Sequence, residues 1–350
     1  MNTNKFKKLI SIFLVALTIS LLAVTSVGCA PEKEVYTLLS DGTYAVTASM
    51  EGTKVVIPST YNEKPVTEIG EDAFRGNSTV KEIVLPDTVK KIGASAFQDA
   101  KSLSKINLDK VEEIGKNAFK GAISNLKAIP DPVIIDLSAV TSLGDGAFSN
   151  CTALSMVTLG TGVSEVTARA FNGCDNLYQV VLADTITKIG IEAFNGCVGL
   201  KNINVDKITF IDKRGFQNCA FTEINLPSIE VIKDQAFFQC KKLATVVLGN
   251  NVKQVYYRAF EALNIISFTI GNSNDTWYHY FQNYYSDRTC SLNLLGDSTL
   301  TLMRDPSKRL DFASYMTKAQ NFGCFLASQA WVQENGITQI PASFPWGTFD

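Results

Sequence analysis

Between residues 43 and 270 the apolar positions follow neither one long helical period nor one long alternation. They recur instead in a short fixed order. An apolar pair three residues apart comes first, as at Val66/Ile69, Val89/Ile92, Val111/Ile114, Val163/Val166, Ile186/Ile189, Ile229/Ile232 and Val252/Val255. Ala-Phe follows, then a small or polar pair, a Leu-like residue, and a brief alternating stretch such as Ile83-Val84-Leu85, Val157-Thr158-Leu159 or Val180-Val181-Leu182. The Phe recurs at 74, 97, 119, 148, 171, 194, 216, 237 and 260, in steps of 23, 22, 29, 23, 23, 22, 21 and 23 residues. Alternation over three residues predicts a strand whose first and third side chains face a core. One such unit is too short to enclose that core, but stacked units bury Phe on Phe and Leu on Leu in a single column.

The long step from Phe119 to Phe148 carries about six extra residues, including Pro130-Asp131-Pro132, and an insertion in a stacked array leaves as a loop on one face. A bulge is therefore expected at about Asn125 to Pro132. Gly70, Gly93, Gly115, Gly144 and Gly190 share one place in the repeat, where a turn with positive φ is the expectation. Asp41 to Val46 and Lys54 to Pro58 predict a turn and two strands, which would cap the first open edge.

The phrase V-x-x-I-G-x-x-A-F-x-x-C-x-x-L, nearly whole at Ile186 to Leu200, resembles the leucine-rich repeats of the BspA type found in bacterial surface proteins. Gly215 replaces Ala in the seventh unit. The resemblance implies a leucine-rich repeat solenoid, one short β-strand plus turns per repeat of about 23 residues, closed by terminal caps. It also implies adhesion to host proteins or to other cells, although a fold of this kind does not fix a function.

The first residues add an address. Lys5, Lys7 and Lys8 precede nineteen uncharged residues from Leu9 to Val27, the plan of an export signal, and also long enough to remain as a membrane-spanning anchor. Ser26-Val27-Gly28-Cys29 resembles a lipobox, with Ser26 where Leu is usual, which implies lipidation of Cys29. On this reading residues 1–28 are a lipoprotein signal peptide, 29–42 a lipidated tether, 43–270 the solenoid with its N-terminal cap, and 271–350 an aromatic-rich C-terminal cap or small appended domain. That last segment predicts an α+β cap. Its alternating Cys290 to Leu295 and Thr299 to Leu302 suggest strands, and 308–321 and 324–332 suggest helices.

Charge is nearly balanced, with 34 acidic and 32 basic residues among 350 and a net charge of −2. That balance gives no footprint for nucleic acid. Five of eight cysteines, Cys151, Cys174, Cys197, Cys219 and Cys240, stand three residues after the repeat Phe. Zinc sites want closely spaced pairs or histidines, and stacked equivalents about 4.8 Å apart are too wide at Cβ for a disulfide of roughly 3.8 Å. Small buried thiols filling a turn are the expectation. Cys290 and Cys324 fall outside the register and are the one pair considered for a disulfide. Asn150 and Asn218, each before one of the repeat cysteines, are placed to satisfy backbone groups in those turns.

The only histidine, His279, lies in the run Trp277-Tyr278-His279-Tyr280-Phe281 without a nucleophile-elbow sequence, and no phosphate-binding glycine loop is present. No catalytic residue, metal site or cofactor is assigned. What remains is surface. Residues between the core positions of successive strands form one outward row of Val84, Asn107, Asp136, Thr158, Val181, Asn204, Asn225 and Val247. The residues just before them form a second: Glu82, Lys105, Met156, Gln179, Asn202, Glu223 and Thr245. Candidate contacts for an extracellular protein or glycan are Asn107, Thr158, Asn204 and Asn225 on this face, and Trp277 and Tyr280 in the C-terminal segment, where aromatics with polar tips serve either a ligand or the closing of an apolar end. The competing readings are a solvated sheet face on an envelope component without external ligand, and an enzyme using the C-terminal aromatic segment.

Overall fold

A computed structural model describes residues 35–125, 131–249, 251–252, 254–256 and 259–260, together with the backbone of the strands at 265–270 and 294–302. The insertion's 126–130, Cys29 and its leader, Trp277, His279, Tyr280, Cys290 and the helices expected after residue 303 lie outside the described residues.

The repeat Phe residues form one stack. Neighbouring rings from Phe74 through Phe260 lie 4.9 to 5.6 Å apart between centroids and within 21° of parallel, and all nine are buried in a single core. The spacing is close to the rise between hydrogen-bonded strands. Phe221 takes the Leu place in the seventh coil and meets Phe216 edge-on at 5.5 Å.

Each coil supplies two strands rather than the one expected. The outer strands are the alternating stretches and fall into three parallel sheets. The first joins β3 (Lys54–Val56), β6 (Glu82–Val84) and β8 (Lys105–Ile106). The second joins β10 (Val133–Leu137), β12 (Leu154–Leu159), β14 (Gln179–Leu182) and β16 (Asn202–Ile203). The third joins β18 (Glu223–Leu226), β20 (Thr245–Leu248), β22 (Ile265–Ile270) and β23 (Leu294–Leu302), so one strand runs from the end of the first alternating stretch, at Leu294, through the whole of Thr299 to Leu302. The first interruption coincides with the insertion after Phe119.

The inner strands are the second member of each upstream apolar pair with the residue before it. One sheet runs β1 (Tyr36–Leu38), β2 (Tyr44–Val46), β5 (Lys64–Ile69), β7 (Lys91–Ile92), β9 (Glu113–Ile114), β11 (Ser142–Leu143), with β4 (Thr60–Tyr61) paired to β5. A second runs β13 (Glu165–Val166), β15 (Lys188–Ile189), β17 (Phe210–Ile211), β19 (Val231–Ile232), β21 (Gln254–Val255). The fold thus begins before the boundary expected for the tether. Tyr36–Leu38 turns back through Asp41-Gly42 and pairs antiparallel with Tyr44–Val46, and Tyr61 stacks on Tyr36 and meets Tyr44 edge-on, closing the first end of the core.

Two corrections concern backbone shape. Gly70, Gly93, Gly115, Gly144 and Gly190 do not occupy the left-handed region; they are places where coils touch. A Cβ on Gly115 would lie 2.6 Å from Ala94 N, and one on Gly144 2.4 Å from Lys116 N. Positive φ is found instead two residues before and two after each Phe from Phe74 to Phe237, as at Ser95 (53°) and Asp99 (58°), or Arg169 (56°) and Gly173 (70°). Asn150 and Asn218 are two of these left-handed residues. Reversing φ at those points aims the N–H groups of Phe−2, Phe and Phe+2 the same way, and in the coil of Phe97 they donate to Lys116 O, Ala118 O and Lys120 O of the next coil. Donors after the inner strands point the other way, as Gly93 N to Ile69 O, 2.7 Å. Each coil is therefore bonded to both neighbours.

The inner sheet breaks between β11 and β13, where the run of glycines in successive coils is first interrupted. The place held by Gly70, Gly93, Gly115 and Gly144 is taken by Thr167, whose hydroxyl donates to Gly144 O at 3.3 Å. Ring spacing follows the same line: 5.1, 5.0 and 4.9 Å across the glycine pairs, then 5.6, 5.5, 5.4 and 5.4 Å beyond them. The last step, 5.0 Å, is tight again, beside Lys233 lying 3.7 Å over the ring of Tyr256.

Candidate functional site

The outer face carries the two rows in register. Asp136 pairs with Thr158 and Thr158 with Val181; Met156, Gln179 and Asn202 run beside them; Asn225 pairs with Val247. Side chains alternate from Ile134 to Leu137 and from Met156 to Leu159, so Ile135, Leu137, Val157 and Leu159 are buried while Ile134, 60% exposed, and Val181 face outward.

The predicted contact residues lie on different sheets, in different states. Asn107, just past β8, accepts from Leu85 N through Oδ1 (2.8 Å) and donates from Nδ2 to Leu85 O (2.9 Å). Asn204, just past β16, treats Leu182 the same way, at 2.8 and 2.7 Å. These amides supply the donor and acceptor that a continuing strand would supply, and both sheets stop there. Thr158 is half-buried on the second sheet, and Asn225 is exposed on the third. Asp136 accepts from Ser138 N. The first sheet's face is charged: Glu82 lies 3.1 Å from Lys54 and 3.5 Å from Lys105, and the hydrogen bond from Lys54, with the charge of Lys105, holds its carboxyl below the ordinary range.

The thiols form a second column. Cys151, Cys174, Cys197, Cys219 and Cys240 are buried and free, and each Sγ sits 3.0 to 3.2 Å from the carbonyl oxygen of the previous coil's Phe, to which it donates. Burial pushes Cys197 and Cys240 up to about 12. A thiol so protonated is neither nucleophile nor metal ligand, and no metal-binding cluster is found among the described residues.

One arrangement has no counterpart in the sequence reading. At the left-handed position two residues before Phe, the first four coils carry Asp72, Ser95, Asn117 and Gly146, and the next four carry Arg169, Glu192, Arg214 and Gln235. The second set forms a ladder. Arg169 Nε donates to Glu192 Oε2 (2.7 Å), Arg214 Nη1 to Glu192 Oε1 (3.3 Å), and Arg214 Nε to Gln235 Oε1 (2.9 Å). The hydrogen bond from Arg169 leads the causes that hold the Glu192 carboxyl below the ordinary value. Left-handed backbone costs an ordinary L-residue roughly 1–2 kcal/mol, and exposed ion pairs return about 0.2–1 kcal/mol. A signal was present in the sequence: Arg169, Glu192, Arg214 and Gln235 share one repeat position.

A comparison with curated proteins gives no match. Among solved structures, the chain is similar to a T. pallidum leucine-rich repeat protein (28% identity over 53% of this chain and 85% of that one, TM-score 0.46). It is also similar to a leucine-rich cell surface protein of Faecalibacterium prausnitzii (22% identity, 67% and 68%, TM-score 0.44) and to the pneumococcal vaccine antigen PcpA (18% identity, 89% and 97%, TM-score 0.39). The family model described as BspA type leucine rich repeat region matches in six copies over residues 42–178, 131–228 and 209–293. With most of the chain so matched, and with stacked rings, paired strand ladders and a repeat thiol in every coil from Cys151 to Cys240, the protein belongs to the BspA-type leucine-rich repeat family.

Proposed function

We propose that the protein is an exported lipoprotein, anchored through Cys29, whose solenoid binds an extracellular protein or glycan by its outer sheet face. The observation that carries this reading is the pair of outward rows on the second sheet, Asp136, Thr158 and Val181 in one and Ile134, Met156 and Gln179 in the other, held in register by continuous pairing. A rigid face of this kind makes many small contacts without ordering cost. Repeats of this family are typically binding modules, and no catalytic role is assigned. Asn225 and Thr158 remain available on the face, and Trp277 and Tyr280 are kept as contacts of the C-terminal segment. Export rests on the N-terminal segment with its lipobox-like Cys29.

The test is binding of the full chain, in detergent, to arrays of extracellular proteins and glycans. Saturable binding lost in Thr158→Arg and Asn225→Arg supports the reading; binding indifferent to both overturns the choice of face. Metabolic labelling with a fatty acid, abolished by Cys29→Ala, tests the anchor separately. A second reading, an envelope component without external ligand, draws on the amides of Asn107 and Asn204, which are spent on their own backbone. A blank array would favour it.

A further inference from the structure

Every coil from Phe74 to Phe237 has a left-handed residue two places before its Phe and another two places after, and the second serves as a control for the first. Two residues after Phe stand Gly76, Asp99, Gly121, Asn150, Gly173, Gly196, Asn218 and Gln239, nearly all residues that adopt this backbone readily. Two residues before Phe the first four coils follow the same rule loosely, with Asp72, Ser95, Asn117 and Gly146. In the coils of Phe171, Phe194 and Phe216 the rule is kept on one side of the ring, by Gly173, Gly196 and Asn218, and broken on the other, by Arg169, Glu192 and Arg214; the coil of Phe237 has Gln on both sides. Backbone demand is the same on both sides, so folding alone does not account for long charged side chains on one side only. Strain retained at a patterned position is a pointer to function.

The ladder also has the form of a recognition element. Glu192 is clamped between two guanidinium groups and its side chain is only 17% exposed, whereas those of Arg169 and Arg214 are 59% and 39% exposed. Arg169 is hydrogen-bonded through Nε alone, and Arg214 through Nε and Nη1. Their remaining N–H groups are presented by side chains already fixed in place, so little rotamer freedom is left to lose on binding. Ile191, beside Glu192, is 41% exposed. Around the corner Arg169, Lys213, Arg214 and Lys233 face Glu192, Asp212 and Asp234, four positive against three negative charges, a net of +1.

We infer that this ridge, Arg169, Ile191, Glu192 and Arg214, is a docking surface for a protein partner that sets carboxylates against the free guanidinium edges and an apolar side chain against Ile191. The inference rests on the reading of the protein as an interaction module but places the contact at the turn, away from the outer sheet. A near-neutral patch with an exposed aliphatic side chain fits a mixed protein surface; a sulfated or uronic glycan would call for a run of unopposed cations.

The test uses the full chain in detergent and a fluorescein-labelled extended peptide in which Glu alternates with Val. Binding is expected, weakening as salt rises, and reduced about tenfold or more in Arg169→Gly/Arg214→Gly, a variant whose glycines suit the left-handed backbone. Lys90→Ala, on the first coils, should bind as wild type. No binding of the peptide, or equal binding by the double variant, overturns the inference, as does tighter arginine-dependent binding of sulfated dextran. Loss with Thr158→Arg and not with the ridge variant moves the contact to the outer sheet and overturns this inference alone. A blank peptide with a positive protein array likewise sinks only the ridge; blanks in both sink the binding function. Thermal unfolding gives an independent readout: the glycine variant should melt at or above the wild-type temperature, and a clear drop would make the ladder a structural staple instead.

Discussion

The coils of Phe74 to Phe148 and those of Phe171 to Phe260 share one ring column and one hydrogen-bond scheme, yet they pack by different means. In the first group glycine meets glycine, backbone touches backbone, and rings lie about half an ångström closer than in most of the second. Their surface carries the pairs Lys91 on Glu68 and Lys90 on Glu112 and, on the outer sheet, Glu82 between Lys54 and Lys105. In the second group Gly190 alone keeps the glycine and Thr167, Asp212, Lys233 and Tyr256 stand in the other coils, the spacing opens, and the turn carries the arginine–glutamate ladder. The difference teaches that the Phe stack and the paired turns define the coil, while the neighbouring position is free to serve either close approach or display.

The comparison can be broken most forcefully at what the two groups share. Phe97→Ala and Phe194→Ala should each cost about 3–5 kcal/mol, read from urea unfolding. Unequal costs beyond a factor of two would mean that the column is not common to both. At the position where the groups differ, Gly115→Ala should cost about 1–3 kcal/mol, because its Cβ meets backbone that no rotamer can relieve. Asp212→Ala, the equivalent change in the second group, should stay within about 0.5 kcal/mol. A harmless Gly115→Ala would remove the account of the glycine column.

The thiol column offers a finer contrast. Cys197→Ala should cost about 1 kcal/mol, the order of one hydrogen bond with some lost packing. Cys197 and Cys240, with thiols pushed up to about 12, should resist iodoacetamide at pH 8 until the chain unfolds. Labelling at the rate of a free thiol in the folded protein would contradict their burial.

The smallest effect is electrostatic. Glu192 and Glu82 both have carboxyls held below the ordinary glutamate value by clamping cations. A carboxylate lowered on folding stabilises above its unfolded pKa, and that contribution is lost as pH falls through the folded one. Acidification below the ordinary carboxylate range should therefore weaken the ladder in one group and the Lys54–Glu82–Lys105 cluster in the other. Carboxyl NMR titration of wild type against Arg169→Gly should show Glu192 moving up toward its ordinary value; no movement would refute the clamp.

Much of this was legible in the residues. Phe and Leu spacing gave the column, the outer strands and their outward rows, because burial imposes a period that survives in the sequence. The inner strands were not legible, since two residues such as Lys91–Ile92 are too few to display alternation. The glycines suggest turn residues because Gly has two uses, positive φ and close approach, and sequence does not separate them. The left-handed places after Phe were visible in Gly76, Asp99, Gly121 and Asn150. Those before it were hidden once Arg169 and Glu192 stood there. Asn107 and Asn204 pointed outward as expected, but nothing local reveals that an amide folds back onto Leu85 or Leu182.

Because donors after the inner strands point to the preceding coil and donors of the turn to the following one, every interior coil presents the same pair of complementary surfaces. A copy of residues 163–185 spliced in after itself would meet matched partners above and below. The gene can therefore change the span of the molecule in whole coils by duplication or deletion, without redesigning either terminus.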